Sequence, residues 1–194
     1  GEVLAMVSSP TYDPRIMVGR SRGKSHRMLQ HDLWKPLLNR SIMGLYPPGS
    51  TFKTTQALTF LNEGIVTPGT AFPCHRGFYY RGLHVGCHSH AAPIALVDAL
   101  STSCNAYFCW GLYYMMGNRK RYHNVQDAMT KWRDYMVSMG FGYKLGIDLP
   151  GEKRGMIPNA NYYDRNYHGS WNGLTIISIS IGQGEVTLDR KSVV

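Results

Sequence analysis

Apolar and polar residues alternate along the chain in short segments that glycine and proline separate. Residues 3–7 form an apolar run that predicts a strand, and residues 15–43 are polar and irregular. Residues 50–63 carry apolar side chains at helical spacing directly after a Pro-Pro-Gly run, which predicts a helix. Aromatic and polar residues alternate over 78–85, as they do in a hairpin.

The second half of the chain is predicted to be mainly helical. Pro93 suits the first turn of a helix, and a polar run at 101–105 separates that helix from an apolar helical segment at 106–116. Asn124 is a capping residue ahead of a further helix, whose apolar side chains indicate a core face rather than cofactor contacts. Apolar residues alternate with serine over 174–181, which predicts a strand.

Composition and charge place the chain among globular proteins. Hydrophobic residues make up 43% and charged residues 17% of the sequence, so enough apolar surface is available for a core. The formal net charge is +9, which would suit nucleic acid, a membrane surface or an acidic polymer. The basic residues are scattered, however, and no nucleic-acid motif is present. No run approaches the ~20 apolar residues of a membrane span, and no signal peptide opens the chain.

Ser50 and Lys53 form a Ser-x-x-Lys pattern at the start of the first predicted helix. This spacing places the two side chains about 60° apart around the helix axis, so both face one space. A serine hydroxyl becomes a good nucleophile when a neighbouring base takes its proton, and a neutral lysine can be that base. Taken alone, the pattern is common by chance, and a capping serine with a surface lysine is the simpler interpretation.

The run YPPGSTFK at 46–53 closely resembles the first motif of class B penicillin-binding proteins, the monofunctional transpeptidases. The second motif of that family, Ser-x-Asn between two helices, is matched by Ser103-Cys104-Asn105. The resemblance implies that Ser50 is the nucleophile and that Ser103 shuttles a proton and interacts with Lys53. It also implies that Asn105 hydrogen-bonds the peptide backbone of the substrate. Without the first motif, Ser103 and Asn105 would be interpreted as interhelix turn residues.

Two further segments resemble the same family, GIDLPGE at 146–152 and IGQGE at 181–185. The first of them, with the long segment before the second motif, favours the elongation type, penicillin-binding protein 2. The resemblance implies an α+β fold of the penicillin-binding/β-lactamase-like transpeptidase class, an antiparallel sheet flanked by helices. We therefore interpret residues 1–194 as a partial transpeptidase domain, with 66–92 as an inserted Cys/His-rich loop or hairpin.

The third motif of the family, Lys-Thr-Gly or Lys-Ser-Gly on an edge strand, does not occur in the 194 residues. Lys191-Ser192 is followed by Val193 and lies too early to serve, and residues 187–190 depart from the usual family pattern. We expect a C-terminally truncated domain with an incomplete sheet and an exposed edge. We also expect this fragment to be weak or inactive, although the parent protein is an enzyme.

All four cysteines lie between Cys74 and Cys109. Cys74, Cys87, His90 and Cys104 could form a tetrahedral Cys₃His site, which suits a structural zinc ion. Some elongation-type relatives carry a zinc site between the first two motifs, and the resemblance matches His90 and Cys104 to two of its ligands. Cys74 and Cys87 would stand where those relatives have carboxylate ligands. A Cys74–Cys87 disulfide and free buried thiols are the alternatives. Cys109 lies among aromatic residues and is predicted to be in the core.

The resemblance implies a peptidoglycan DD-transpeptidase that cross-links stem peptides and is trapped by β-lactams, with no catalytic cofactor. It also implies a place at the periplasmic face of the inner membrane, in the cell envelope, beside a membrane-embedded glycosyltransferase and elongation proteins. A penicillin-sensing receptor domain is one alternative. A noncatalytic fragment is another, because the third motif is not in the sequence.

Overall fold

The computed structural model describes residues 4–193. Its helices, numbered α1 to α8, are Arg22–His31, Arg40–Met43, Lys53–Asn62, Leu96–Ser101, Asn105–Met116, Val125–Ser138, Ala160–Asn166 and Arg190–Val193. Its strands, numbered β1 to β4, are Ala71–Phe72, Gly77–Tyr80, Leu83–Gly86 and Ile94–Ala95. Within the described residues, short 3₁₀ turns cover Pro14–Met17, Gly49–Phe52 and Ile177–Ile181. No helix in this range is both long and apolar enough to cross a membrane.

The strands form two small antiparallel pairs. β2 and β3 make the hairpin that the alternating pattern predicts, with Phe78 opposite Val85. β1 pairs with β4, so Ala71 and Phe72 lie opposite Ala95 and Ile94. The described residues therefore combine helices with antiparallel pairing, as an α+β fold requires. The wider interpretation of 66–92 as an insert stays a prediction.

Helix α5 lies at the centre of the core. Its sequence is apolar on every face, which is the composition of a helix that other elements surround. Ala106, Phe108, Leu112 and Met115 are all inaccessible to solvent. The predicted helix at 106–116 is thus confirmed, and it begins one residue earlier than its apolar run, at Asn105.

Helices α3 and α5 cross closely at Gly111. A Cβ atom at this position would lie 2.5 Å from the ring of Phe60, so only glycine leaves room for that ring. This close contact matters because α3 begins at Lys53 and α5 begins at Asn105. The crossing therefore sets the distance between the first and second motifs.

Helix α6 follows its predicted cap. The side chain of Asn124 accepts a hydrogen bond from the backbone N–H of Asp127, and α6 begins at the next residue, Val125. Trp132 and Met136 are fully buried, which confirms the core face. Trp132 also donates to Gln56 Oε1 at 2.9 Å, which links α6 to α3.

Two predicted elements, the helix that begins at Pro93 and the strand at residues 3–7, differ from the structure. Helix α4 begins at Leu96 rather than at Pro93, because Ile94 and Ala95 pair with β1 instead. No strand forms over residues 4–7, and Val3 lies outside the described residues. The polar segment 15–43 contains α1 and α2, so it is more regular than its composition indicates.

The predicted strand at 174–181 is wrong. Its last part is the 3₁₀ turn Ile177–Ile181, in which Ser180 Oγ donates to the carbonyl of Ile177 at 2.7 Å. Alternation predicts one buried and one exposed face, but Ser180 is as buried as Ile179. No strand within residues 4–193 pairs with this buried segment, which satisfies its backbone locally.

The last described helix, α8, is held by a buried ion pair. Lys191 Nζ lies 2.7 Å from Glu152 Oε1 and 3.4 Å from Asp189 Oδ1. Glu152 also accepts the backbone N–H groups of Leu145 and Gly146. The hydrogen bond from Lys191 is the main reason that the pKa of Glu152 is lowered to about 2. Lys191 is therefore occupied within the fold, consistent with its not acting as the third-motif lysine.

Gly182 packs directly on the turn that carries Ser50. The Gly49 N–H donates to the Gly182 carbonyl at 2.8 Å, and Gly182 has a left-handed φ of 67°. A Cβ atom there would lie 2.3 Å from the Gly49 oxygen and 2.8 Å from Phe52 Cβ. The glycine of the 181–185 segment is thus required for this backbone contact.

We predict that Gly182→Ala lowers the free energy of unfolding by at least about 2 kcal/mol, because it adds overpacking to left-handed strain. Gly64→Ala is the matched control, since Gly64 has a φ of 66° and no atom within 4 Å of a Cβ. The control should lose only about 1 kcal/mol. Urea unfolding of both variants measures the difference, and equal losses would contradict the steric explanation.

Candidate active site

Ser50 lies in the 3₁₀ turn Gly49–Phe52, immediately before α3. It is exposed, whereas Phe52 in the same turn is buried and packs against Trp132 with a ring-centroid distance of 6.3 Å. Thr51 Oγ1 donates to the Pro48 carbonyl at 2.7 Å. A buried aromatic anchor and a local hydrogen bond therefore present Ser50 at the surface. Ser50 makes no side-chain cap, so the simple capping interpretation is wrong.

Lys53 is the first residue of α3, and it is almost completely buried at 1% exposure. Its Nζ donates to the Ser103 carbonyl at 2.6 Å, to Ser103 Oγ at 3.0 Å and to Asn105 Oδ1 at 2.5 Å. An ammonium group has three N–H donors, and all three are used. The surface-lysine interpretation is therefore wrong as well.

The environment of Lys53 contains neutral acceptors and thiols. Among residues 4–193 no carboxylate pairs with it. Burial lowers the pKa of Lys53 below the ordinary lysine value, and the nearby thiols, of which Cys87 contributes most, oppose that shift. A lysine with a lowered pKa has a larger neutral fraction, and only the neutral amine can accept a proton.

Ser103 lies in the turn between α4 and α5, in a left-handed conformation with φ of 55°. Such a conformation costs roughly 1–3 kcal/mol for a residue other than glycine, and it persists where the surrounding structure holds it. Its neighbours hold it here, because the Cys104 N–H donates to the Ala99 carbonyl at 2.8 Å. In this conformation both oxygens of Ser103 reach Lys53 Nζ.

Asn105 connects Lys53 to the hairpin. Its Oδ1 accepts from Lys53, and its Nδ2 donates to the Gly86 carbonyl at 2.8 Å. Its backbone N–H points at Cys87 Sγ, 3.3 Å away. The side chain is therefore fixed at both ends, with one N–H of its amide left for another acceptor.

The structure thus brings three of the four predicted side chains into one hydrogen-bonded group. Ser50 Oγ is the exception, since it makes no hydrogen bond with Lys53, Ser103 or Asn105 within the described part of the chain. In ligand-free enzymes such contacts are often long and tighten when substrate binds. Ser50 is nevertheless only one helical turn from Lys53 along the chain.

The predicted metal ligands also lie together. The donor atoms of Cys74, Cys87, His90 and Cys104 are all within 4.8 Å of one another. Cys104 Sγ also accepts from the Tyr107 N–H, so it caps α5. No disulfide joins these residues in the part of the chain described, where all four cysteines are free thiols. Cys109 is fully buried in the core, as predicted.

The protonation of the cluster is set by its neighbours. His90 Nδ1 lies 2.8 Å from the Ala91 carbonyl, which only accepts, so the neutral ring carries its proton on Nδ1. Its Nε2 lies 3.4 Å from Cys87 Sγ. Burial raises the pKa of Cys87, but the hydrogen bond with His90 and those from two backbone N–H groups outweigh it and lower the pKa to about 7. Burial raises the pKa of Cys104.

Two supports of the site were not predicted from the sequence. The Gly86 carbonyl fixes Asn105, and the Phe108 ring lies with its centroid 5.8 Å from Lys53 Nζ. Neither residue belongs to a motif, so no local signal indicates them. Gly182 does belong to the 181–185 segment, which is the signal that could have identified its contact with Gly49.

Comparison with known proteins identifies the family. The model of the penicillin binding protein transpeptidase domain matches residues 1–188. The peptidoglycan D,D-transpeptidase MrdA of Acinetobacter baumannii is 35% identical over 196 residues, which cover 96% of this chain and 27% of that protein. The chain therefore spans little more than a quarter of the length of this relative.

Solved structures show the same relationship. PBP2 of Helicobacter pylori in complex with MreC is 27% identical, with a TM-score of 0.84 over 100% of this chain and 34% of its own. PBP2 of Pseudomonas aeruginosa in complex with WCK 5153 is 28% identical, with a TM-score of 0.77 over 99% of this chain and 42% of its own. These likenesses confirm the predicted fold class and the incomplete extent of the chain. The chain belongs to the penicillin-binding protein transpeptidase family, as part of a class B transpeptidase domain of the PBP2/MrdA type.

Proposed function

We propose that this chain carries the nucleophile and the second motif of a peptidoglycan D,D-transpeptidase. The observation that supports this most directly is the buried Lys53, whose Nζ is shared by Ser103 and Asn105 one helical turn from the exposed Ser50. A buried amine without a carboxylate partner is the kind of group that can accept a proton from a serine. Similarity to MrdA and PBP2 supports the same reaction.

The proposed reaction proceeds in two steps. Ser50 Oγ attacks the carbonyl of the D-Ala-D-Ala bond, and its proton passes to Lys53. Ser103 then relays a proton to the leaving D-alanine amine as the peptide bond breaks, which leaves an acyl group on Ser50. An amine of a neighbouring stem peptide attacks this ester, its proton returns through the same groups, and Ser50 Oγ leaves as a hydroxyl. A β-lactam would acylate Ser50 in the first step.

Asn105 is proposed to bind the peptide backbone of the substrate. Its Oδ1 and one N–H are occupied by Lys53 and Gly86, so the remaining N–H is the donor available for a substrate carbonyl. The reaction as proposed needs only side chains, without a catalytic cofactor. Binding of the substrate carboxylate is assigned to the third motif, which the sequence does not contain.

The wider role follows from the relatives. We propose that the whole protein acts in the cell envelope on peptidoglycan stem peptides, at the periplasmic face of the inner membrane. The structure of PBP2 with MreC supports elongation proteins as partners. The structure of a peptidoglycan synthase complex that coordinates polymerization and crosslinking supports a glycosyltransferase as a further partner. An enzyme is favoured over a sensor because the relatives are named as transpeptidases.

We predict that a fluorescent penicillin forms one slow covalent adduct on the chain and that Ser50→Ala abolishes it. Ser50 is the exposed serine beside the buried amine, so it is the hydroxyl that Lys53 can activate. Intact-mass spectrometry measures the adduct. Ser101→Ala is the matched control, since Ser101 is an exposed serine outside the proposed site, and it should keep the adduct.

An adduct that survives in Ser50→Ala would contradict the assignment of the nucleophile. A folded chain that never forms an adduct would favour the noncatalytic alternative for this fragment. Circular dichroism of each variant distinguishes loss of the nucleophile from loss of the fold.

We predict that acylation of Ser50 becomes faster as pH rises towards the lowered pKa of Lys53. Burial depresses that pKa, so the neutral, proton-accepting amine becomes abundant below the range of an ordinary lysine. Lys53→Arg should be at least about 100-fold slower at every pH, because a guanidinium does not deprotonate. Lys131→Arg, at an exposed lysine, is the control and should be unaffected. A flat pH profile in the unmodified chain would exclude Lys53 as the base.

We further propose that the four-donor cluster binds one structural zinc ion. Three thiols and one imidazole are the donors of a tetrahedral zinc site, and tetrahedral Zn–S bonds of ~2.3 Å place sulfur atoms about 3.8 Å apart. The donors lie within 4.8 Å, so a small contraction would suffice. The proton on His90 Nδ1, held by the Ala91 carbonyl, leaves Nε2 free to coordinate.

The proposed ion would tie the hairpin to the second motif. Cys87 follows β3, and Cys104 lies between Ser103 and Asn105. Bound zinc would hold its thiol ligands as thiolates and so fix the position of the second motif. Its role is structural, because four protein ligands leave no open position for substrate.

We predict one zinc ion per chain, measured by plasma mass spectrometry after dialysis, and a loss of at least tenfold in zinc affinity in His90→Ala. His88→Ala is the matched control, since His88 is exposed and outside the cluster, and it should retain the metal. A metal-free chain that lacks two titratable thiols would instead support the Cys74–Cys87 disulfide. A metal-free chain with four thiols would support the free-thiol alternative.

A further inference from the structure

A cavity lies away from Ser50 and Lys53, where the C-terminal half of α6 meets the segment 142–162. Its volume is about 350 Å³, which is at the lower end for small-molecule sites. Five of its lining residues have polar side chains: Arg133, Tyr143, Arg154, Asn159 and Tyr162. None of them belongs to the hydrogen-bonded group around Lys53. The proposed transpeptidase chemistry therefore leaves this cavity unexplained.

Arg133 is unusual among the buried polar groups. Its Nε is buried and has no hydrogen-bond partner, the one such side-chain atom found within residues 4–193. A charged donor that is removed from water without an acceptor is costly, so such groups are normally satisfied. Arg133 Nε therefore lacks an acceptor among the described residues, and other atoms of the same side chain line the cavity.

Arg154 brings a second positive charge to the same cavity. Neither Arg154 nor Arg133 is among the residues that form ion pairs in the described chain, where Arg15, Arg121 and Lys191 are the bases that do. No aspartate or glutamate lines the cavity. Two arginines that line one cavity without a counter-charge make a positive site.

We propose that this cavity binds an oxyanion, a carboxylate or phosphate group of a small ligand, between Arg133 and Arg154. The planar guanidinium matches both groups, because two of its N–H donors can form parallel hydrogen bonds to two oxygens of one anion. In Arg133 the Nη groups would have to serve, since its Nε is closed to solvent. Tyr143 and Tyr162 also line the cavity and would cover the body of the ligand. This inference does not depend on the transpeptidase assignment.

The test uses the full chain with ¹⁵N-labelled arginine and follows the side-chain Nε–H resonances by NMR. Inorganic phosphate and succinate are titrated separately, with ionic strength held constant by sodium chloride. Arg133→Lys assigns the Arg133 resonance, which should shift saturably in the unmodified chain. Arg154→Gln should weaken the binding at least tenfold, because one of two charged partners is removed.

Arg165→Gln is the matched control. Arg165 is exposed and close in sequence to Tyr162 but does not line the cavity, and its loss removes the same charge. It should leave the affinity unchanged, and the thermal unfolding of each variant verifies that the fold is retained. Tighter binding of succinate identifies a carboxylate ligand, and tighter binding of phosphate identifies a phosphate ligand.

Shifts that do not saturate with either anion would overturn the proposal, as would an equal loss in Arg165→Gln and Arg154→Gln. Either result would mean that the arginines respond only to general charge. Because Arg154 is exposed, its variant is expected to fold, so the comparison stands even if Arg133→Lys is unstable.

Discussion

The buried amine of Lys53 is the interaction on which the rest of the candidate site depends. Its three donors reach across the helix crossing to Ser103 and Asn105, residues 50 and 52 positions further along the chain. Those bonds fix three features at once: the start of α3, the left-handed turn at Ser103 and the start of α5. Since a buried charge without acceptors is costly, the fold has strong reason to keep this arrangement.

The hairpin supports that arrangement from the opposite side. Asn105 holds Lys53 with one end of its amide and the Gly86 carbonyl with the other, and Cys87 accepts its backbone N–H. The four-donor cluster and the second motif therefore share Cys104 and the hairpin end.

Segments that lie far from both motifs along the chain also support the candidate site. The Gly182 carbonyl accepts a hydrogen bond from the N–H of Gly49, in the turn that carries Ser50. Only glycine at position 182 allows this close backbone contact. Glu152 and Lys191 form a buried pair that fastens α8 to the 146–152 segment. Of the two family-like segments, the one at 181–185 thus contacts the first motif, whereas the one at 146–152 holds α8. They contain no proposed nucleophile or base.

The sequence by itself predicted Ser50, Lys53, Ser103 and Asn105, because they lie in two short runs that resemble the motifs of the family, and the structure brings the last three together. It also determined α5, α6 and the β2–β3 hairpin, whose apolar periodicity and caps are properties of neighbouring residues. Only the tertiary structure decided that Lys53 also bonds Asn105 and the Ser103 carbonyl, that residues 177–181 form a turn rather than a strand, and that Arg133 and Arg154 line one cavity. These features depend on which distant surfaces pack together, and local spacing does not encode that packing.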